Sequence, residues 1–189
     1  MNLYHRWYCR SRSWARKLHG AYLPALLGAR DLGDDVLEIG PGPGLVTNWL
    51  RRRVPRLTSI EIDHRLAESL RRRAAGTNVT VVEGDATAMP FADGRFSAAV
   101  CLTMLHHVPS PALQDRLLAE ARRVLRPGGA LIGMDSTPSL RWNLYHLFDQ
   151  RVPVDPATFD ARLAAAGFVD VRVGARDGGF TFRARKPER

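Results

Sequence analysis

Residues 36–44 read Val-Leu-Glu-Ile-Gly-Pro-Gly-Pro-Gly, a short strand that runs straight into three glycines at alternate positions. Few folds accommodate such a start. The glycines let the backbone turn left-handed and let a ligand approach the main chain closely, and the helical pattern that follows makes this a strand–turn–helix unit. The alternation then repeats. Val36–Ile39 reads as a strand, Val46–Arg53 as a helix, Leu57–Ile62 as a strand and Arg65–Ala75 as a helix. Val79–Val82 and Ala98–Leu102 are strands, Leu113–Leu125 a helix, Ala130–Met134 a strand and Pro156–Ala166 a helix. Phe168–Val173 and Phe180–Ala184 close the pattern as two strands around the glycine-rich turn Gly174 to Gly179, an antiparallel hairpin. Strand–helix–strand units imply an α/β fold: a mostly parallel sheet with helices on both faces.

Composition narrows the class. With 189 residues, 45% apolar and 25% charged, the chain suits one globular domain and excludes wholesale disorder and fibrous architectures. No apolar run approaches the roughly 18 residues needed to cross a bilayer. Arg6, Arg10, Arg12, Arg16 and Lys17 interrupt every N-terminal apolar stretch, so residues 1–30 do not read as a secretory signal. Cys9 and Cys101 offer no metal spacing and no disulfide framework. A soluble, cytoplasmic protein without a metal is expected.

The net charge of +9 is concentrated at the ends. Residues 1–30 hold five Arg, one Lys and no acid, Arg183 to Arg189 adds four bases against one acid, and the body between is neutral. Of the 28 basic residues only Lys17 and Lys186 are lysine, a bias that GC-rich coding also produces without any binding partner. Residues 3–19 form an amphipathic basic helix with Leu3, Trp7, Trp14 and Leu18 on one stripe. Residues 1–30 are therefore read as a helical segment, either a lid or an anchor at an anionic membrane surface, and 31–189 as the domain proper.

Four segments fall at carboxyl ends of parallel strands, where open α/β sheets bind ligands. Gly40, Gly42 and Gly44 follow G-x-G-x-G, with Glu38 two residues ahead; a dinucleotide fingerprint would need its third glycine at Leu45. Glu61 ends the second strand 21 residues after Gly40, where a carboxylate accepts both hydroxyls of an adenosine ribose, and Ile62 offers an apolar side chain to the adenine face. Asp63 competes for the ribose only if the strand continues that far. In Gly84-Asp85-Ala86, Asp85 suits an adenine amine and the Ala86 amide a ring nitrogen; a turn or helix cap is the alternative for Asp85. The fourth segment is Cys101-Leu102-Thr103-Met104-Leu105-His106-His107-Val108-Pro109, in which Thr103 completes the binding candidates.

Taken together, these segments resemble the class I S-adenosylmethionine-dependent methyltransferases over about residues 34–185, through VLEIGPGPG, IEID, GDA, LHHV and the turn Leu125-Arg126-Pro127-Gly128-Gly129. The resemblance implies a Rossmann-like, seven-stranded sheet with an antiparallel last hairpin. It implies S-adenosyl-L-methionine as cofactor and S-adenosyl-L-homocysteine as product. Gly40, Gly42 and Gly44 would hold the amino-acid end, Glu61 the ribose and Asp85 the adenine. Within the family, EIGPGPG with IEIDHRLAESL is similar to the ribosomal-RNA adenine dimethylases. Those enzymes carry an Asn-Pro-Pro-Tyr or Asn-Leu-Pro-Tyr type segment after strand four to grip a flipped adenine, where this chain has Cys101-Leu102-Thr103-Met104. AMPFADGRFSAAVCLTMLHHV and EARRVLRPGGALI look instead like the branch acting on small molecules, quinones and lipids.

The expected function is methyl transfer to a small, apolar acceptor, with an RNA methyltransferase as one alternative and a non-catalytic cofactor-binding or membrane-associated module as another. Methyl transfer from a sulfonium mainly needs alignment, and a hydroxyl or ammonium acceptor also needs a base. His106 and His107 are the candidate bases, with packing as their other role. Asp135 is a candidate contact for the acceptor, and Leu140 to Phe148 a candidate lid.

Overall fold

A period of two organises the molecule: along each central strand, successive side chains enter opposite cores. The computed structural model describes residues 11–139 and 151–189. Its strands are β1 (Asp35–Ile39), β2 (Arg56–Glu61), β3 (Val79–Glu83), β4 (Phe96–Leu102), β5 (Leu125–Ser136), β6 (Val169–Arg176) and β7 (Gly179–Arg185). They form one seven-stranded sheet in the order β3-β2-β1-β4-β5-β7-β6. β1 to β5 pair in parallel, and β7 runs antiparallel to both β5 and β6. The sequence expectation of a Rossmann-like α/β sheet with an antiparallel final hairpin holds.

Among the described residues, the N-terminal segment holds α1 (Arg12–Lys17), a π turn (Leu18–Tyr22) and α2 (Leu23–Leu27). Between strands lie α3 (Leu45–Leu50), α4 (His64–Ala74), α5 (Pro111–Val124) and α6 (Pro156–Ala165). On one sheet face Leu37, Ile39, Ala99, Leu131, Phe180 and Phe182 meet Leu117 and Leu118 of α5 and Phe159 and Leu163 of α6. On the other, Val36, Ala98, Val100, Ile132 and Met134 meet Leu18, Leu23, Leu26 and Leu27 with Trp49 and Leu50. Of the N-terminal stripe, Leu18 is buried and Trp14 half-buried in that core; Leu3, Trp7 and the whole candidate lid 140–148 lie outside the described residues. Among the described residues, no helix is long and apolar enough to cross a membrane.

Three boundaries differ from the sequence reading by three residues or more. The helix after the glycines stops at Leu50, not Arg53, because the Asn78 amide donates to the carbonyls of Arg51 (3.0 Å) and Val54 (2.7 Å) and so closes that end. β5 starts at Leu125 rather than Ala130, since Gly128 and Gly129 exchange backbone hydrogen bonds with Lys186. The hairpin turn is only Asp177-Gly178, with Gly178 at φ 67, and β6 continues through Gly174 to Arg176.

Gly133 lies on the crowded face of β5. A Cβ there would stand 2.2 Å from the Phe182 ring and 2.3 Å from the Cys101 carbonyl oxygen. Gly133→Ala is expected to cost about 3 kcal/mol through overpacking against backbone that cannot retreat. A urea midpoint matching wild type would show that the strands can move apart.

Candidate functional site

The glycine loop takes the strained path that its composition permits. Gly40, Gly42 and Gly44 sit at φ 68, 53 and 84, in the left-handed region that other residues avoid. The Gly40 N–H donates to the Ile60 carbonyl (3.0 Å), which ties the loop to the end of β2. A Cβ on Gly40 would come within 3.0 Å of Met104, whereas one on Gly42 would meet nothing within 4 Å. Gly40 therefore makes room for the β4 end, and Gly42 faces open space that a ligand can enter.

Glu61 joins two of the segments. One carboxylate oxygen accepts the Gly42 N–H (2.9 Å) and the other the Asp63 N–H (3.0 Å). Burial pushes its carboxyl pKa up, against the two backbone N–H bonds that hold it down. Asp63 does not share this face: it caps α4, accepting the Leu66 N–H (3.0 Å). Ile62, at 69% exposure, leaves its apolar side chain open beside Glu61.

The third segment is tied in by the Gly84 N–H, which donates to the Glu61 carbonyl (3.0 Å). Asp85 is exposed and one oxygen accepts the Thr87 N–H (2.8 Å), so it is a turn cap with a second oxygen still to offer. Ala86 is half-buried against the core. From the fourth segment, Thr103 adopts φ 52, unusual for a β-branched residue, and its N–H reaches the Met134 carbonyl (2.8 Å). Backbone strain of this kind gathers where a site is shaped.

Glu38 is buried beneath the loop. Thr47 Oγ1 (2.7 Å) and Ser59 Oγ (2.6 Å) both donate to its Oε2, while Oε1 has no partner. Burial raises its pKa from 4.5 to about 7. A carboxyl raised on folding makes the native state hold the extra proton, so its contribution to stability falls as pH rises from about 4.5 to 7. The fall is roughly 3 kcal/mol at about 1.36 kcal/mol per pKa unit. Glu38→Gln keeps both hydroxyl bonds and should flatten that slope, read as the difference in urea stability between mildly acid and mildly alkaline pH. Parallel slopes in variant and wild type would show that Glu38 ionises without penalty.

His106 and Asp135 form a buried pair, with His106 Nδ1 to Asp135 Oδ1 at 2.5 Å and the His106 N–H to Oδ2 at 3.1 Å. Asp135 also accepts the Ser136 N–H (2.7 Å) and is 0% exposed. Asp135, the candidate acceptor contact, is thus fully buried with both oxygens engaged by His106 and Ser136. His107 is half-buried and its ring lies 4.2 Å from that of His106.

Sequence reasoning named the acids but missed their partners. Thr47, Ser59 and Met104 line the candidate site, and the advance signal was the polar pair Thr58-Ser59 in the middle of β2. The residues present fit an adenosyl amino acid: open space over Gly42, an unpartnered buried acceptor on Glu38, a ribose-sized acid at Glu61 and an exposed apolar face at Ile62.

Residues 37–133, just over half of the chain, match the family described as a methyltransferase domain. A ubiquinone/menaquinone biosynthesis C-methyltransferase of Desulfotalea psychrophila is 31% identical over 112 residues, covering 58% of this chain and 44% of that protein. The ribosomal RNA small subunit methyltransferase A of Bordetella petrii is 34% identical over 178 residues, covering 79% of this chain and 65% of that one. The chain thus spans less than two thirds of the length of these relatives. In fold it is similar to a chain from the complex of the Trm112 methyltransferase activator with a methyltransferase of Haloferax volcanii, with a TM-score of 0.74, 16% identity and 99% coverage of both chains.

Proposed function

The chain belongs to the methyltransferase-domain family, and from that premise we propose that it transfers methyl from S-adenosylmethionine to a small, partly apolar acceptor. The observation that carries the acceptor class is the segment that ends β4 and leaves it. Cys101-Leu102-Thr103-Met104 holds neither the Asn and Pro nor the aromatic ring that would grip a flipped base. The relative named for quinone C-methylation points the same way.

When bound, the cofactor supplies an electrophilic methyl on a sulfonium. The chain's own work is alignment and proton removal. Glu61 accepts from the ribose while pinning Gly42, and the second oxygen of Asp85 takes the adenine amine. Asp135 fixes His106 in the Nδ1–H tautomer and holds the turn Leu105–His107 in place, and the half-open His107 beside it takes the acceptor proton. For residues 3–19 we favour the lid over the membrane anchor, because Leu18 lies in the core with Trp49 and His19 Nε2 meets the Leu45 carbonyl at 2.9 Å, one residue past the glycine loop.

A second reading, RNA methylation, is favoured by the likeness to the ribosomal RNA methyltransferase over 79% of the chain. Incubation with methyl-labelled cofactor and a lysate separated into lipid, RNA, protein and small-metabolite pools tests both. Label in the lipid or metabolite pool supports the first reading. Label in the RNA pool that nuclease removes overturns it in favour of the second.

A further inference from the structure

The strand period that turns Phe180, Phe182 and Ala184 of β7 into one core sends Arg183 and Arg185 to the opposite face. Arg172 of β6 pairs with Arg183 in the ladder and shares that side. Arg30, just past α2, joins them. Burial first, then repulsion from Arg30, Arg185 and Arg172, lowers the Arg183 pKa, with Asp170 the acid that opposes the trend. Arg30 and Arg185 each donate Nε–H to a carbonyl, of Leu26 (2.7 Å) and Gly128 (3.2 Å). Among the described residues, Arg172 and Arg183 make no ion pair, and Arg183 is half-buried. Four guanidiniums gathered on one face, with Asp170 the acid that opposes them, repel one another, and a bound anion would relieve that repulsion.

We propose that this arginine face of the β6–β7 hairpin binds the phosphate backbone of a nucleic acid. Guanidinium forks match phosphate oxygens in pairs. Their layout suits a polymer: side chains two apart on a strand stand roughly 7 Å apart, so the donors spread along a line instead of converging on one small anion. A membrane anchor would set aromatic or aliphatic groups among the bases, and the exposed large hydrophobic residue on β6 is Val169 alone. The face is separate from the methyl-transfer cleft. Arg183 pairs with Ile132 while Asp135 pairs with Phe180, which puts the arginines about three residues, roughly 10 Å, lower on the sheet and on its other side. The proposal therefore stands or falls apart from the acceptor assignment.

Fluorescence anisotropy of the full chain with a labelled single-stranded RNA, across a salt series, tests it. Three to four phosphate contacts predict a slope of log affinity against log salt of about −2 to −3. Arg172→Gln/Arg183→Gln should weaken binding at least about tenfold and reduce the slope magnitude by about 1.4, with S-adenosylmethionine affinity by calorimetry unchanged. The thermal midpoint should hold or rise as repulsion is relieved, so a folding defect is separable. An equal loss in Arg52→Gln/Arg71→Gln, on the α3–α4 side, would show general charge attraction and overturn the proposal. So would RNA binding that the double variant leaves intact, no RNA binding at all, or arginine-dependent binding confined to anionic vesicles or inorganic phosphate.

Discussion

Glu61→Ala is expected to weaken S-adenosylmethionine binding by about tenfold to a hundredfold, the largest loss of any single change in the cleft. Two effects add. The ribose hydroxyls lose a buried acceptor, a loss of roughly 1–3 kcal/mol for groups left unsatisfied. The Gly42 and Asp63 N–H groups lose the oxygens that hold them at 2.9 and 3.0 Å, so the glycine loop is freed from β2 just where open space awaits the ligand. Glu61→Gln keeps one acceptor oxygen and should fall between. Asp85→Ala should lose less, because one oxygen of Asp85 already serves the Thr87 N–H and only the other remains for the adenine amine. Calorimetric titration orders the three variants, and nicotinamide dinucleotides should bind none of them, since Leu45 stands where the third dinucleotide glycine belongs. Unchanged affinity in both alanine variants would overturn the site assignment.

Most of the fold was legible because the apolar period changes sharply between strand and helix, and glycine or proline punctuates each change. The boundaries that slipped were those set from a distance. Asn78 ends α3 from a turn more than twenty residues downstream, and Lys186 extends β5 from the far end of the chain. No local pattern encodes either. The clustering of the candidate residues was legible for a topological reason: Gly40, Glu61, Asp85 and Thr103 lie at or just past the ends of parallel strands, so neighbouring strands bring them together. What escaped was pairing across elements. Thr47 and Ser59 meet on Glu38 only after α3 folds back over β2, and the left-handed Thr103 carries no sequence mark. The Glu38 side chain also shows why an acid in a buried strand is ambiguous in sequence: its meaning depends on which hydroxyls reach it.

The pair that sequence spacing could least foresee should matter most to stability. His106 and Asp135 are 29 residues apart, brought side by side because Leu102 of β4 registers with Met134 of β5. Asp135 is fully buried and takes three donors: the His106 ring, the His106 N–H and the Ser136 N–H. Removing it strands all three in a low-dielectric interior, which for a broken buried pair costs about 3–5 kcal/mol. For a domain of this size each kcal/mol lowers Tm by roughly 2–4 °C, so Asp135→Ala should melt about 10 °C or more below wild type. Asp135→Asn keeps the shape and one good acceptor and should lose less. If the pair also sets the histidine tautomer for catalysis, Asp135→Asn should depress kcat more than its stability loss explains, with cofactor affinity near wild type. A Tm within a few degrees of wild type for Asp135→Ala would mean that water or a neighbouring side chain replaces the carboxylate, and the dyad would lose its place in both the fold and the mechanism.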